Sequence, residues 1–135
     1  MNETTNLHLP QFAADDRIHH DDFNAAFAAI DAATARIVTG TYVGTGESGS
    51  EHPNTLTFDF APKVIIVRKG YTTITQQLFI FSGMTSVPCQ YQSNDSDRVT
   101  LSWSNGGKTI SWYADNSLKQ LNSLYEGDYY YLAVG

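Results

Sequence analysis

The sequence holds one cysteine, Cys89, in 135 residues, four prolines, and only eight lysines and arginines. A single thiol closes no disulfide within the chain and leaves no cysteine-based zinc site to build. Eight cations against fourteen carboxylates give a net charge of −6, and no basic run breaks that balance. Such a surface does not neutralise phosphates, which argues against nucleic-acid binding and against an anionic membrane surface. No apolar run approaches the roughly 20 residues that span a bilayer, so no membrane insertion is expected. The N-terminus lacks the basic start and apolar core of a signal peptide. Charged residues make up 16% and hydrophobic ones 41%, a balance that predicts a globular chain rather than a disordered one.

What is present divides in two. The only strongly helical stretch is expected from about Asp21 to Val38, rich in Ala, the best helix former. Asp21 or Asp22 suits its first turn, where a carboxylate accepts from unpaired N–H groups at the positive helix end. Phe23, Phe27, Ile30, Thr34 and Ile37 recur four, three, four and three residues apart. That is a heptad seam with one polar position. Each buried seam residue contributes roughly 1.5–3 kcal/mol, so the seam predicts a cover: this chain's β-domain or identical helices of other subunits. Ahead of it, residues 1–20 read as an extended arm with apolar points at Leu7, Leu9, Phe12 and Ile18. Gly40 marks the helix stop.

From Thr41 the pattern turns to β. Residues 44–52 form a Gly-rich loop with Glu47, Glu51 and His52. Leu56, Phe58 and Phe60 alternate on one face. Val64-Ile65-Ile66-Val67 and Leu78-Phe79-Ile80-Phe81 are continuous apolar runs, expected to be covered on both faces. Residues 89–92 read as a weak strand. Val99–Ser104 and Thr109–Tyr113 predict a hairpin around Asn105-Gly106-Gly107. A two-residue loop at Asn105-Gly106 or Gly106-Gly107 puts Leu101, Trp103, Ile110 and Trp112 on one face. Leu118, Leu121 and Leu124 lie in a connection that suits a helical turn, and an aromatic strand spans residues 128–134. The predicted fold is mainly β: an antiparallel sandwich of seven or eight strands, or a small barrel, with an N-terminal arm and one helix. The expected units are residues 1–39 and 40–135.

Two stretches resemble phage and prophage tail proteins of the fibre or receptor-binding type. One is Asn6-Leu7-His8-Leu9-Pro10-Gln11-Phe12, followed by Asp16-Arg17-Ile18 and Asp22–Asp31. It is similar to the attachment and oligomerisation segment of short tail proteins. The other is Gly40–Gly46, then Phe58 to Phe60, Pro62–Val67 and the terminal Tyr129–Gly135, which resembles the small β-domain at the distal end of tail fibres. Residues 70–126 match no such motif. The resemblance implies a homotrimer in the virion tail, assembled in the bacterial cytoplasm. Its arm would contact other tail or baseplate proteins, and its β-domain would meet a bacterial surface glycan or protein. It supplies no ligand-binding residues.

Catalytic and metal chemistry finds little support. In His19-His20-Asp21-Asp22, neighbours on a helix point about 100° apart and do not converge on one ion, unlike an i, i+4 pair. A histidine ring around a trimer axis is the metal reading, and solvated helix-start residues are the plainer one. Asn94-Asp95-Ser96-Asp97 has alternate oxygens, as in a calcium loop, but lacks the glycine and the later glutamate. A turn is expected there. His8 and His52 belong to no nucleophile motif. Asp59, Asp115, Glu126 and Asp128 are carboxylates without a fixed pair separation, and Cys89 is expected to be buried. No enzyme, metal or cofactor is therefore expected.

Aromatic side chains offer more, since a ring face stacks on a sugar and neighbouring Asn, Asp and Ser read its hydroxyls. Tyr71, Tyr91, Tyr113, Tyr125 and Tyr130 are the ligand-binding candidates, with core or interface packing as the plainer role for any one of them. In Tyr129-Tyr130-Tyr131, strand alternation exposes either the middle ring or the outer two.

Overall fold

A computed structural model describes residues 2–70, 76–89, 98–124 and 129–135, with only the backbone of residues 117 and 118. The chain forms two compact units, Met1–Ala35 and Arg36–Gly135.

In the first unit the arm doubles back instead of staying extended. Strand β1 (Asn2–Glu3) pairs antiparallel with β2 (Pro10–Gln11). The turn is closed by the Thr4 N–H donating to Leu9 O at 2.9 Å, with His8 in the left-handed region at φ 51°. Helix α1 spans His20–Ala33. His19, rather than Asp21 or Asp22, stands at its N-cap, and Asp22 Oδ2 folds back to accept the His19 N–H at 3.1 Å. His20 and Asp21 form an exposed pair at 2.7 Å.

The helix stops about a turn before the expected Val38. Thr34 is its C-cap, with the hydroxyl donating to Ile30 O at 2.8 Å. The β-branched run Ile37-Val38-Thr39 then favours an extended chain and enters strand β3 (Ile37–Tyr42). The unit boundary accordingly falls at 35/36, not 39/40.

The second unit is an antiparallel β-sandwich. Its strands are β3, β4 (Asn54–Thr57), β5 (Val64–Lys69), β6 (Gln77–Phe81), β7 (Ser86–Pro88), β8 (Arg98–Ser104), β9 (Thr109–Tyr113) and β10 (Tyr129–Val134). One sheet has the order β3-β10-β5-β6 and the other β4-β9-β8-β7. The core between them holds Leu56, Phe58, Ile65, Val67, Leu78, Ile80, Val99, Leu101, Ile110, Trp112, Tyr129 and Ala133. Aromatic contacts tie the layers: Phe58 to Tyr131 at 5.7 Å and Tyr42 to Trp112 at 5.4 Å, both edge-on.

The β8–β9 register pairs Leu101 with Trp112 and Trp103 with Ile110. The connection is four residues, Asn105 to Lys108, and not the expected two. Asn105, Gly106 and Gly107 all take positive φ, which Asn and Gly accept most readily. An even loop keeps the same faces together, so the four side chains share one side as expected. Leu118 lies in α2 (Ser117–Gln120), a single helical turn. Strand β7 occupies Ser86–Pro88; of the weak strand expected at 89–92, residues 90–92 lie outside the described residues.

Candidate functional site

The register of the first sheet divides its side chains into two faces. Ile65, Val67, Leu78, Ile80 and Ala133 point into the core. The alternate positions point outward: Ile37, Thr39 and Thr41 from β3; Val134, Leu132 and Tyr130 from β10; Val64, Ile66 and Arg68 from β5; Phe81, Phe79 and Gln77 from β6. The apolar runs of β5 and β6 are therefore buried on one face only. Phe79 and Phe81 stand in solvent, Phe81 at 57% of its full exposure. A groove of about 480 Å³ is lined by Thr39, Thr41, Ile66, Arg68, Tyr130 and Leu132.

The outer face of the second sheet is its chemical opposite. Thr55, Thr57, Thr100, Ser102, Ser104, Thr109 and Ser111 fill it, joined by hydroxyl bonds from Thr55 to Ser111 at 2.9 Å and Thr57 to Thr109 at 3.0 Å. Arg98 crosses to the Ser86 hydroxyl at 2.9 Å. Such a face is dressed for water. An apolar outer face on the other sheet is not, and contiguous apolar surface of this kind marks contact sites.

Of the tyrosine candidates, Tyr71, Tyr91 and Tyr125 lie outside the described residues, as do Asn94–Asp97, Glu126 and Asp128. Tyr130 is the exposed middle ring of its triplet, at 51%, while Tyr129 is buried. Tyr113 is half-buried on the outer face of the second sheet. The two described tyrosines thus stand on opposite outer faces and do not form one platform. Both sit toward the same end of the unit, since Tyr130 pairs with Thr41 near the end of β3 and Tyr113 closes β9.

That end is set by strand direction. Strands β3, β5 and β9 finish there, and β4, β6, β8 and β10 begin there. Arg36 and Gly135 lie together at the opposite end, joined by two backbone hydrogen bonds at 2.9 and 3.3 Å. A polar hub that sequence reasoning missed orders the loop after β3. Gln120, fully buried, accepts from the N–H groups of Gly49 and Ala114 at 3.0 Å each and donates to His52 O at 2.6 Å. Asn122 donates to Glu47 O, and the His52 and Glu47 side chains pair at 2.8 Å. The signal was present as polar residues flanking Leu121, but neither composition nor period distinguishes a buried Gln from a solvated one. Tyr42 lies beneath, stacked on Tyr129 at 5.0 Å and donating to Leu121 O at 2.9 Å. Burial first, then the neighbouring Tyr129 and Cys89, hold its phenol well above the ordinary value.

In the N-terminal unit the expected five-residue seam is reduced to three. Phe23, Phe27 and Ile30 lie along α1, which buries none of its residues, and Phe27 is 64% exposed. Phe12 approaches Phe23 at 5.9 Å, and Phe23 approaches Phe27 at 6.4 Å. Thr34 serves as C-cap, and Ile37 belongs to β3 in the other unit.

Among the described residues no cluster of three or more His, Cys, Asp or Glu side chains is placed to hold a metal, and no helix is long and apolar enough to cross a membrane. Comparison with known proteins finds no matching family model, curated protein or solved structure.

Proposed function

We propose that this chain is a phage or prophage tail component, of the fibre or receptor-binding type, that binds rather than catalyses. In this reading the N-terminal unit trimerises through α1 and contacts other tail or baseplate proteins. The sandwich recognises a bacterial surface glycan or protein at the end opposite Arg36 and Gly135. The observation that carries it is the solvent-facing Phe23, Phe27 and Ile30 on a helix with no buried residue. A helix this short does not hold such a seam open in water without a partner. Threefold closure lets each copy cover the seams of the others. Three weak sites on one assembly then gain avidity that one site lacks. The loop pinned by Gln120 supports the placement of recognition, because binding residues gather on loops held by a rigid scaffold.

A purely structural tail role is the second reading. It is supported by the division of Tyr113 and Tyr130 between opposite faces, which leaves no shared aromatic platform among the described residues.

The test is the solution mass of the full chain at about 1 µM together with its adsorption to bacterial cells and to a glycan array. The expected mass is three times 14.9 kDa. Phe27→Asp is expected to lower the mass to one copy and adsorption at least about a hundredfold, the low end of the avidity gain. A trimer that adsorbs to nothing supports the structural role. A monomeric wild-type chain at that concentration overturns the seam.

A further inference from the structure

We infer that the outer face of the sheet β3-β10-β5-β6 is a second self-association surface, which pairs with the same face of another copy about a twofold axis parallel to the strands. This goes beyond the helix seam and does not rest on it.

The argument starts from the order of side chains across the sheet. One edge strand, β3, presents Ile37, Thr39 and Thr41, and the other, β6, presents Phe81, Phe79 and Gln77. Bulk is therefore concentrated on one edge. Among the described residues the single charge on the face is Arg68, on β5, and its neighbour in the same row is Tyr130 on β10. No acidic side chain of a described residue lies on the face.

A twofold axis parallel to the strands, between β10 and β5, reverses the strand order of the facing sheet and keeps the rows level. Phe81 and Phe79 then lie over the partner subunit's Ile37 and Thr39, so the large edge meets the small one, as interdigitating layers require. Val64 meets the partner subunit's Val134, and Ile66 meets the partner subunit's Leu132. Arg68 comes over the partner subunit's Tyr130, twice by symmetry, in the arrangement of a cation–π pair. The groove of about 480 Å³ beside Arg68 and Ile66 is the space that the facing ring enters.

The other in-plane axis, across the strands, is worse on every count. It sets Phe edge against Phe edge and drives Arg68 over the partner subunit's Val64, a charge buried on an apolar residue without compensation.

Area decides how tight the pair is. Fully exposed aromatic side chains offer about 150–250 Å² each. On that scale the exposed Ile37, Phe79, Phe81 and Tyr130, with the half-buried Val64, Ile66, Leu132 and Val134, supply on the order of 500 Å² per copy. The pair thus hides about 1,000 Å², below the standard interface of about 1,600 Å². It is expected to form and dissociate with concentration. Tyr130 is thereby assigned to the contact between copies, leaving Tyr113 as the described candidate open to a ligand.

Sedimentation of the full chain from about 1 to 500 µM tests this, in the wild-type background and in Phe27→Asp. The expected result is a rise of mass with concentration in both: one copy to two in Phe27→Asp, and beyond three copies in the wild type. Phe79→Lys with Phe81→Lys abolishes the rise, and Arg68→Glu raises the dissociation constant about 5–30-fold, the size of the two exposed cation–π contacts that the twofold axis creates. Near-UV circular dichroism of the buried Trp112 is expected to stay unchanged in all of them, because the substituted side chains point away from the core. Mass that does not rise by 500 µM overturns the proposal and gives the face to a different protein. A rise that survives Phe79→Lys and Phe81→Lys in a folded chain also overturns it.

Discussion

Trp112 donates its indole N–H to the backbone carbonyl of Gln120 at 2.8 Å, fastening the central strand of one sheet to the connection that closes the sandwich end. Asn54 shares that acceptor at 2.9 Å through its side-chain amide. The Gln120 side chain in turn holds Gly49, His52 and Ala114. One residue thus joins strand β9, the start of β4 and the loop between β3 and β4.

Replacing Gln120 by Leu keeps the volume and removes every side-chain hydrogen bond. The Ala114 N–H is left unsatisfied, costing about 1–3 kcal/mol where water is excluded, while the Gly49 N–H keeps its bond to Ala114 O and the His52 carbonyl keeps the longer one from the Thr45 hydroxyl. Urea unfolding is expected to show a loss of about 2–5 kcal/mol, and amide exchange at Gly49 and Ala114 is expected to accelerate.

Gly44 donates its N–H to Ser123 O at 2.8 Å, with its α-carbon against Asn122. A Cβ at this position would fall within the backbone of Asn122, which has no flexible end to move aside. Gly44→Ala is expected to lower stability by about 2–4 kcal/mol, in the range of overpacked sites. Gly49→Ala meets no atom and loses only what its positive φ costs, about 1–2 kcal/mol. Paired thermal melts check the contrast.

Tyr42 gives the fold an alkaline limit. Its phenol is held above the ordinary value by burial and by Tyr129 and Cys89, whereas in the unfolded chain it ionises near pH 10. A folded value above the unfolded one stabilises the protein fully below about pH 10. That contribution is lost as pH rises from there through the folded value. Urea midpoints are expected to fall from pH 9 to pH 11, and Tyr42→Phe is expected to flatten that fall. The same substitution costs about 1 kcal/mol at neutral pH, through the lost bond to Leu121 O.

The strands were legible because alternation writes burial into the sequence, as with Leu101, Trp103, Ile110 and Trp112. The loop between them is longer than its residues suggest, yet the faces survive, because only its parity matters. Two features were not legible, for a shared reason. The run Leu78-Phe79-Ile80-Phe81 states that both faces are apolar but not whether the same chain covers both. Phe23, Phe27 and Ile30 likewise state a seam without its partner. Heptad spacing runs on through Ile37, past the true helix end, because β-branching at 37–39 and pairing with β10 decide otherwise. Tyr129-Tyr130-Tyr131 leaves two phases open, and the pairing of Tyr129 into the core chooses one.

The backbone bonds between Arg36 and Gly135 bring both ends of the sandwich chain to one pole. A pull between Arg36 and the opposite pole runs along the strands, and the bonds joining β3 to β10 lie across it. They are loaded together as a row in shear and do not open in succession like a zip. A surface gripped at the far pole would therefore be held through the stiffest direction of the sheet.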